Sequence, residues 1–302
     1  MNDRERRRKK REAQRLKILE TLFIGCFLII CFFMAVSMYF TAKKGHTPPA
    51  DSQEVKTTEI PPSPDTETEE NQDMDIESVP VMKEENEYAR ILSLSPGECA
   101  VYGFLGEDMA GRLFYESDIT KELPRIQGIS YQENPNVALT DLAYLRMLYW
   151  GIDGNTYVGE MIVNQKIKED VLNIFRTLYE NRYPIERMVL VDEYAGEDEA
   201  SMEANNTSAF NYRTISGSDK LSNHSYGMAV DLNPKYNPYV KRKGDGSVIC
   251  QPESGRAYAD RTKEFDYKID ENDLAYQLFT QAGFTWGGDW NSVKDYQHFE
   301  KE

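Results

Sequence analysis

Ser222-Asn223-His224-Ser225-Tyr226-Gly227-Met228-Ala229-Val230-Asp231 carries one of only three histidines in a chain of 302 residues. His224 and Asp231 stand seven positions apart, an odd number, so a straight strand would turn their side chains to opposite faces. A helix would align them, but Gly227 and the following Leu232-Asn233-Pro234 argue against one. A bend at Ser225–Gly227 leading into a short strand over Met228–Leu232 brings both groups to one point. Taken alone, such a pair reads as an ordinary hydrogen-bonded couple. Of the other two histidines, His46 sits in a polar stretch near the N-terminus. His298 lies in Asp295-Tyr296-Gln297-His298-Phe299, shortly after Trp286-Gly287-Gly288-Asp289-Trp290.

Around these segments the pattern is mixed. Ile167, Val171, Ile174, Phe175 and Leu178 share one helical face, with Asn164 placed as N-cap and Pro184 beyond the end. A second helix begins near Asp270, presents Leu274, Ala275, Leu278, Phe279 and Ala282, and closes at Gly283. Short strands are expected at Met188–Val191, Met228–Leu232, Phe284–Trp286 and Tyr296–Phe299. Residues 89–140 resist assignment, and no internal repeat is evident. Strands separated by both helices and long loops point to an α+β domain over 89–302 rather than regular βαβ winding.

The N-terminal part has different physics. Residues 1–20 carry nine Lys/Arg against four Asp/Glu, a basic segment expected on the cytoplasmic side. Thr21 to Phe40 is an unbroken run of twenty uncharged residues, about 30 Å as a helix and so long enough to cross a bilayer's hydrocarbon core. The basic flank orients the N-terminus to the cytoplasm and exports the C-terminal bulk. A cleavable signal peptide would have a shorter apolar region ending in a small-residue site, so the run reads as an uncleaved single-pass transmembrane anchor; a lipid on Cys26 is a further alternative. Residues 41–88 are rich in Pro, Thr and Glu, and 51–88 hold thirteen acidic residues against two Lys. Such a segment buries too little to offset its ordering entropy and is expected to be a disordered spacer with a reach of roughly 40 Å. The formal charge of −16 argues against nucleic acid as a partner.

The full pattern Ser-x-His-x-x-Gly-x-Ala-x-Asp, followed later by Asp-x-x-His, resembles the zinc D-Ala-D-Ala peptidase family of bacterial cell walls. Asn205-Asn206-Thr207-Ser208-Ala209-Phe210-Asn211-Tyr212-Arg213 is similar to the family's substrate-side arginine segment. Asp231-Leu232-Asn233-Pro234 and Phe284-Thr285-Trp286-Gly287-Gly288-Asp289-Trp290 resemble its VanY-like, carboxypeptidase-type branch. Where the dipeptidase branch has Glu-x-x-His, this chain has Asp295, as in the carboxypeptidase and endopeptidase branches. The resemblance implies a hedgehog/DD-peptidase-like fold with a small antiparallel sheet and flanking helices. It implies one zinc ion held by His224, Asp231 and His298, and peptidoglycan stem peptides as substrate.

Coordination chemistry is consistent with that ligand set, since a catalytic zinc takes three protein ligands and leaves a fourth position for water. With both histidines of the domain used as ligands, a carboxylate must act as base, and Asp295 stands three residues before His298. Arg213 either stabilises the oxyanion or binds the substrate's carboxylate through its planar fork. Ser222 is implied to hydrogen-bond the peptide. The simplest activity is D-alanyl-D-alanine carboxypeptidase; the alternatives are an L-Ala-D-Glu-type endopeptidase and a non-catalytic zinc-stabilised wall-binding module. Animal hedgehog signalling domains resemble the fold without clear peptidase work, but a purely structural site has no need of Asp295.

The remaining residues carry open or plain readings. Trp286 and Trp290 either line the groove or pack a core edge. Glu197-Asp198-Glu199 reads as a solvated face or a helix start, whereas Asp192 and Glu193 are placed to orient the arginine segment. Cys99 and Cys250 are either one disulfide or two free thiols.

Overall fold

The computed structural model describes residues 78–215 and 217–302. The expected anchor Thr21–Phe40 and most of the expected spacer lie outside them. Among the described residues no helix is long and apolar enough to cross a membrane. The chain is already helical at Ser78, in α1 (Ser78–Ser93), so residues 78–88, placed in the spacer by composition, are structured. Ile91, 1% exposed in the core, and the Arg112 guanidinium 3.9 Å over the Tyr88 ring hold this helix down despite its run of acidic residues.

The principal sheet is built on one hairpin, β3 (Leu142–Trp150) and β4 (Thr156–Asn164), paired without a break from Leu142↔Asn164 to Trp150↔Thr156. Gly154, at φ +79°, turns the chain between them. β1 (Cys99–Val101) flanks β4 and β2 (Tyr115–Ser117) flanks β3, all antiparallel, in the order β1-β4-β3-β2. Both faces of the hairpin are covered. Ala143, Leu145 and Met147 pack in one cluster with Val171, Ile174, Phe175 and Leu178, while Leu142 and Tyr144 join Ile126, Ile162, Leu190 and Phe210 in another. Between β1 and β3 lie two short helices, α2 (Glu107–Gly111) and α3 (Leu123–Ile126).

The expected amphipathic helix is α4 (Lys168–Glu180), with Val171, Ile174, Phe175 and Leu178 buried. Asn164 does not cap it. The residue ends β4, donating through its backbone N to Gly227 O at 2.8 Å and through Nδ2 to Tyr226 O at 2.9 Å. Met188–Val191 forms no strand, because Asn206 occupies the backbone of Val189 on both sides: Val189 N donates to Asn206 Oδ1, and Asn206 Nδ2 donates to Val189 O, each at 2.9 Å. A side-chain amide thus replaces a neighbouring strand. Asn205, Asn233 and Asn237 are equally buried and hydrogen-bonded, so much of the polar run 205–211 is internal scaffolding.

The C-terminal half adds α5 (Asp198–Glu203), α6 (Leu274–Gln281) and two further three-stranded antiparallel sheets. One is β5 (Ala229–Asp231), β10 (His298–Glu300) and β8 (Thr285–Trp286), in that order. The other is β7 (Val248–Gln251), β6 (Tyr239–Arg242) and β9 (Lys294–Asp295). Of the expected strand Tyr296–Phe299 only His298 and Phe299 are in a strand, since Tyr296 and Gln297 form the turn between β9, which ends at Asp295, and β10. The α+β class holds, with three small sheets in place of one. Cys99 and Cys250 are free thiols on β1 and β7.

α6 is capped by Asp273, whose Oδ1 accepts from Ala275 N at 2.9 Å and from Tyr183 Oη at 3.1 Å. Burial pushes this carboxyl up to about 6, against those hydrogen bonds. The folded state therefore holds a proton between about pH 4 and pH 6 that the unfolded chain has lost, and stability falls as pH rises through that window by on the order of 1–3 kcal/mol. Asp273→Asn keeps the acceptor and removes the ionisation. Its thermal midpoint should exceed wild type at pH 8, with the gap closing below pH 4; a pH-independent gap would contradict this origin.

Candidate metal centre

Four short pieces of backbone bring the site residues together. Ser222 caps a 3-10 turn, Asn223–Tyr226, its Oγ accepting from His224 N at 3.3 Å. Gly227, at φ +65°, then swings the chain into β5. A Cβ at Gly227 would lie 2.6 Å from Asn164 N and 2.9 Å from Val163 C, so glycine is required here both for its conformation and for the close approach to β4. This turn resolves the odd spacing between His224 and Asp231. On the other side, antiparallel pairing sets His298 directly opposite Asp231, which puts both side chains on the same face of the sheet. Period-two alternation along β10 sends His298 and Glu300 to that face and Phe299 into the core, where it stacks on Phe279 with ring centroids 4.3 Å apart.

The three expected ligands meet. His224 Nε2 lies 3.3 Å from Asp231 Oδ2 and 3.1 Å from His298 Nδ1, and His298 Nδ1 lies 3.0 Å from Asp231 Oδ1. A tetrahedral ion with bonds near 2 Å has ligand–ligand edges of about 3.3 Å, so these spacings suit one. The outer nitrogens are also committed. His224 Nδ1 faces Ala209 O at 2.5 Å, and His298 Nε2 faces Glu300 Oε2 at 3.0 Å, with Asn223 Nδ2 donating to the same oxygen. A proton on each outer nitrogen leaves the inner nitrogen's lone pair for a cation, the usual outer support of a histidine ligand. Burial opposes ionisation of Asp231, but the charges and hydrogen bonds of the two imidazoles hold its carboxyl well below the usual range. Burial likewise disfavours charge on His298, yet Asp231 and Glu300 push it up to about 10, so the centre as a whole attracts positive charge. The donor set fits a divalent metal.

Asp295 is beside this group. Its carboxyl is pushed up to about 6, chiefly by burial and then by the charge of Asp231, against the Gln297 hydrogen bond and the nearby imidazoles. That value suits a group that takes up and releases a proton near neutrality. Gly287 makes the arrangement possible: a Cβ there would lie 2.6 Å from Asp295 O, 2.9 Å from Asp295 Cβ and 3.3 Å from His298 Cβ.

A cleft of about 380 Å³ opens over the centre, lined among others by Met202, Arg213, Ser222, Tyr239 and Trp290. Arg213 reaches it as expected, but its partner is Asp198, which also accepts from Asn211 Nδ2 at 2.8 Å. Asp192 and Glu193 do not orient it: Asp192 accepts from Ser130 N, and Glu193 pairs with Arg125. Asp198 and Glu199 form the first turn of α5, as the helix-start reading had it, and they also line the cleft. The two tryptophans divide, Trp290 lining the cleft and Trp286 buried with its Nε1 donating to Tyr296 O at 2.9 Å. Sequence reasoning missed Glu300 and Asn223, although Glu300 carried a signal: two residues past a strand histidine, it must share that histidine's face. The Ala209 carbonyl carried none, being backbone.

Residues 216–301 match the model of a family described as D-alanyl-D-alanine carboxypeptidase. Over 79 residues the chain is 34% identical to the peptidoglycan L-alanyl-D-glutamate endopeptidase CwlK of Bacillus subtilis (strain 168). That match covers 26% of this chain and 38% of the relative's length. No solved structure matches the chain. The resemblance read from the motifs therefore holds for the segment carrying Ser222, His224, Asp231, Asp295 and His298, and Arg213 lies just outside the matched residues.

Proposed function

With residues 216–301 matching the D-alanyl-D-alanine carboxypeptidase family, we propose that this chain is a zinc-dependent peptidase acting on peptidoglycan stem peptides, as a D-alanyl-D-alanine carboxypeptidase. The observation that carries this reading is the convergence of His224, Asp231 and His298 beside the Asp295 carboxyl in the lining of one cleft. A zinc ion held by those three residues would polarise the scissile carbonyl and bring the pKa of water to near 7. Asp295 takes the proton of the attacking water and passes it to the leaving amine. Arg213, steadied by Asp198, offers its guanidinium to the oxyanion or to the substrate's terminal carboxylate. Ser222 holds the His224 turn and faces the peptide across the cleft.

A second reading, cleavage within the stem peptide between L-Ala and D-Glu, is favoured by the activity in the printed name of the Bacillus relative. Mass spectrometry of defined muropeptides after incubation with the full chain separates the two: loss of a terminal D-Ala supports the first, an internal cut the second. The run Thr21–Phe40 would anchor the enzyme in the cell membrane with its N-terminus cytoplasmic, and the acidic spacer would let the extracytoplasmic domain reach the wall. Chelation should abolish hydrolysis and added zinc should restore it. Hydrolysis that persists under chelation would reject the metal chemistry.

A further inference from the structure

Gln297 lies between the base and a ligand, and its side chain is only 2% exposed. Its Nε2 faces two acceptors, Asp295 Oδ1 at 3.1 Å and Met202 Sδ at 3.4 Å, which sets the orientation of the carboxamide, since the NH2 and not the oxygen belongs there. Its backbone is pinned as well, with Gln297 O accepting from Leu232 N at 3.0 Å just past β5. Among the described residues this is the one side-chain hydrogen bond to the Asp295 carboxylate. The other end of the amide, Oε1, is buried with no hydrogen-bond partner. A buried acceptor without a partner costs stability, and an apolar side chain of the same length would fill the space without that cost. The fold alone gives no reason for glutamine here. Polar groups that a fold would be better without are expected where they serve chemistry.

We propose that Gln297 is a positioning residue for the base: its Nε2–H fixes one oxygen of the Asp295 carboxylate so that the other stays turned to the reacting water. The role rests on the peptidase reading above. Met202 on α5 and the backbone bond to Leu232 hold the positioning group from two sides, so the alignment of Asp295 follows from both.

Two variants of the full chain test this with zinc bound, on a peptide ending in D-Ala-D-Ala. In Gln297→Met the hydrogen bond is lost while volume is kept. Its kcat should fall about 10- to 100-fold, as expected when a reacting group is slightly misplaced. KM and zinc content should stay at wild-type values, and the thermal midpoint should be equal or higher. Gln297→Glu sets a second carboxylate against Asp295, and the acid limb of its kcat/KM profile should move to higher pH. A wild-type kcat in Gln297→Met, or a loss of kcat that only accompanies a lower midpoint and lower zinc content, would overturn the role. Absence of hydrolysis by the wild-type chain would instead overturn the peptidase reading, and this role with it.

Discussion

Asp295→Asn should lower kcat for a D-Ala-terminated peptide by about 10²–10⁴-fold, the usual contribution of a positioned general base. The substitution is nearly isosteric, and the new Oδ1 can still accept from Gln297 Nε2, so the wall of the cleft keeps its shape. His224, Asp231 and His298 are untouched, and zinc measured by elemental analysis should remain at one equivalent. Loss of rate with metal retained is the signature expected of a proton-transfer group, whereas loss of a ligand removes both. Hydrolysis undiminished in this variant would mean that another group moves the proton.

The largest expected effect on stability comes from a pair that does not line the cleft. Glu160 on β4 is 1% exposed, and Arg125 on α3 grips both its oxygens, with Nη1–Oε2 at 2.9 Å and Nη2–Oε1 at 2.8 Å. Tyr144 Oη and Leu190 N complete the shell at 2.8 and 3.2 Å. The carboxylates around Arg125, Glu160 foremost, raise its pKa above the ordinary value despite burial. Arg125→Met would leave the buried Glu160 carboxylate with two neutral donors and no counter-charge. Breaking one side of such a pair typically costs 3–5 kcal/mol, and because Arg125 is partly exposed the lower end, about 3 kcal/mol, is expected. For a domain of this size that lowers the thermal midpoint by roughly 10 °C, readable by calorimetry. A midpoint within a degree or two of wild type would contradict the cost assigned to the unpaired carboxylate.

The residues of the candidate metal centre were legible from sequence because the runs that carry them resemble a known family's motifs. Taken alone, His224 and Asp231 read as an ordinary hydrogen-bonded couple; it was the resemblance of the runs around His224 and His298 to a known family that implied the ligand set, and Asp295 was placed by its spacing from His298. Two amphipathic helices were legible for a different reason: α4 and α6 each bury one stripe, so their apolar residues recur at helical spacing, whereas the longer α1 was not read from the sequence. The central hairpin was not. Leu142–Trp150 is covered on both faces, so its residues are apolar almost without alternation and show no period to read. Partners such as Asp198 for Arg213, Glu300 for His298 and Asn206 for Val189 depend on how distant loops meet, which local pattern does not encode. The Asn-rich run 205–211 signalled the arginine segment, yet most of its side chains serve the interior, and only the structure separates those two uses.

β10 is both a wall of the cleft and a rib of the interior, since Phe299 enters the aromatic stack while its neighbours on either side face the candidate metal centre. No hinge separates chemistry from scaffold along this strand. Warming should consequently extinguish catalytic competence and tertiary order in a single cooperative event, without an interval in which a loosened centre sits on an intact body.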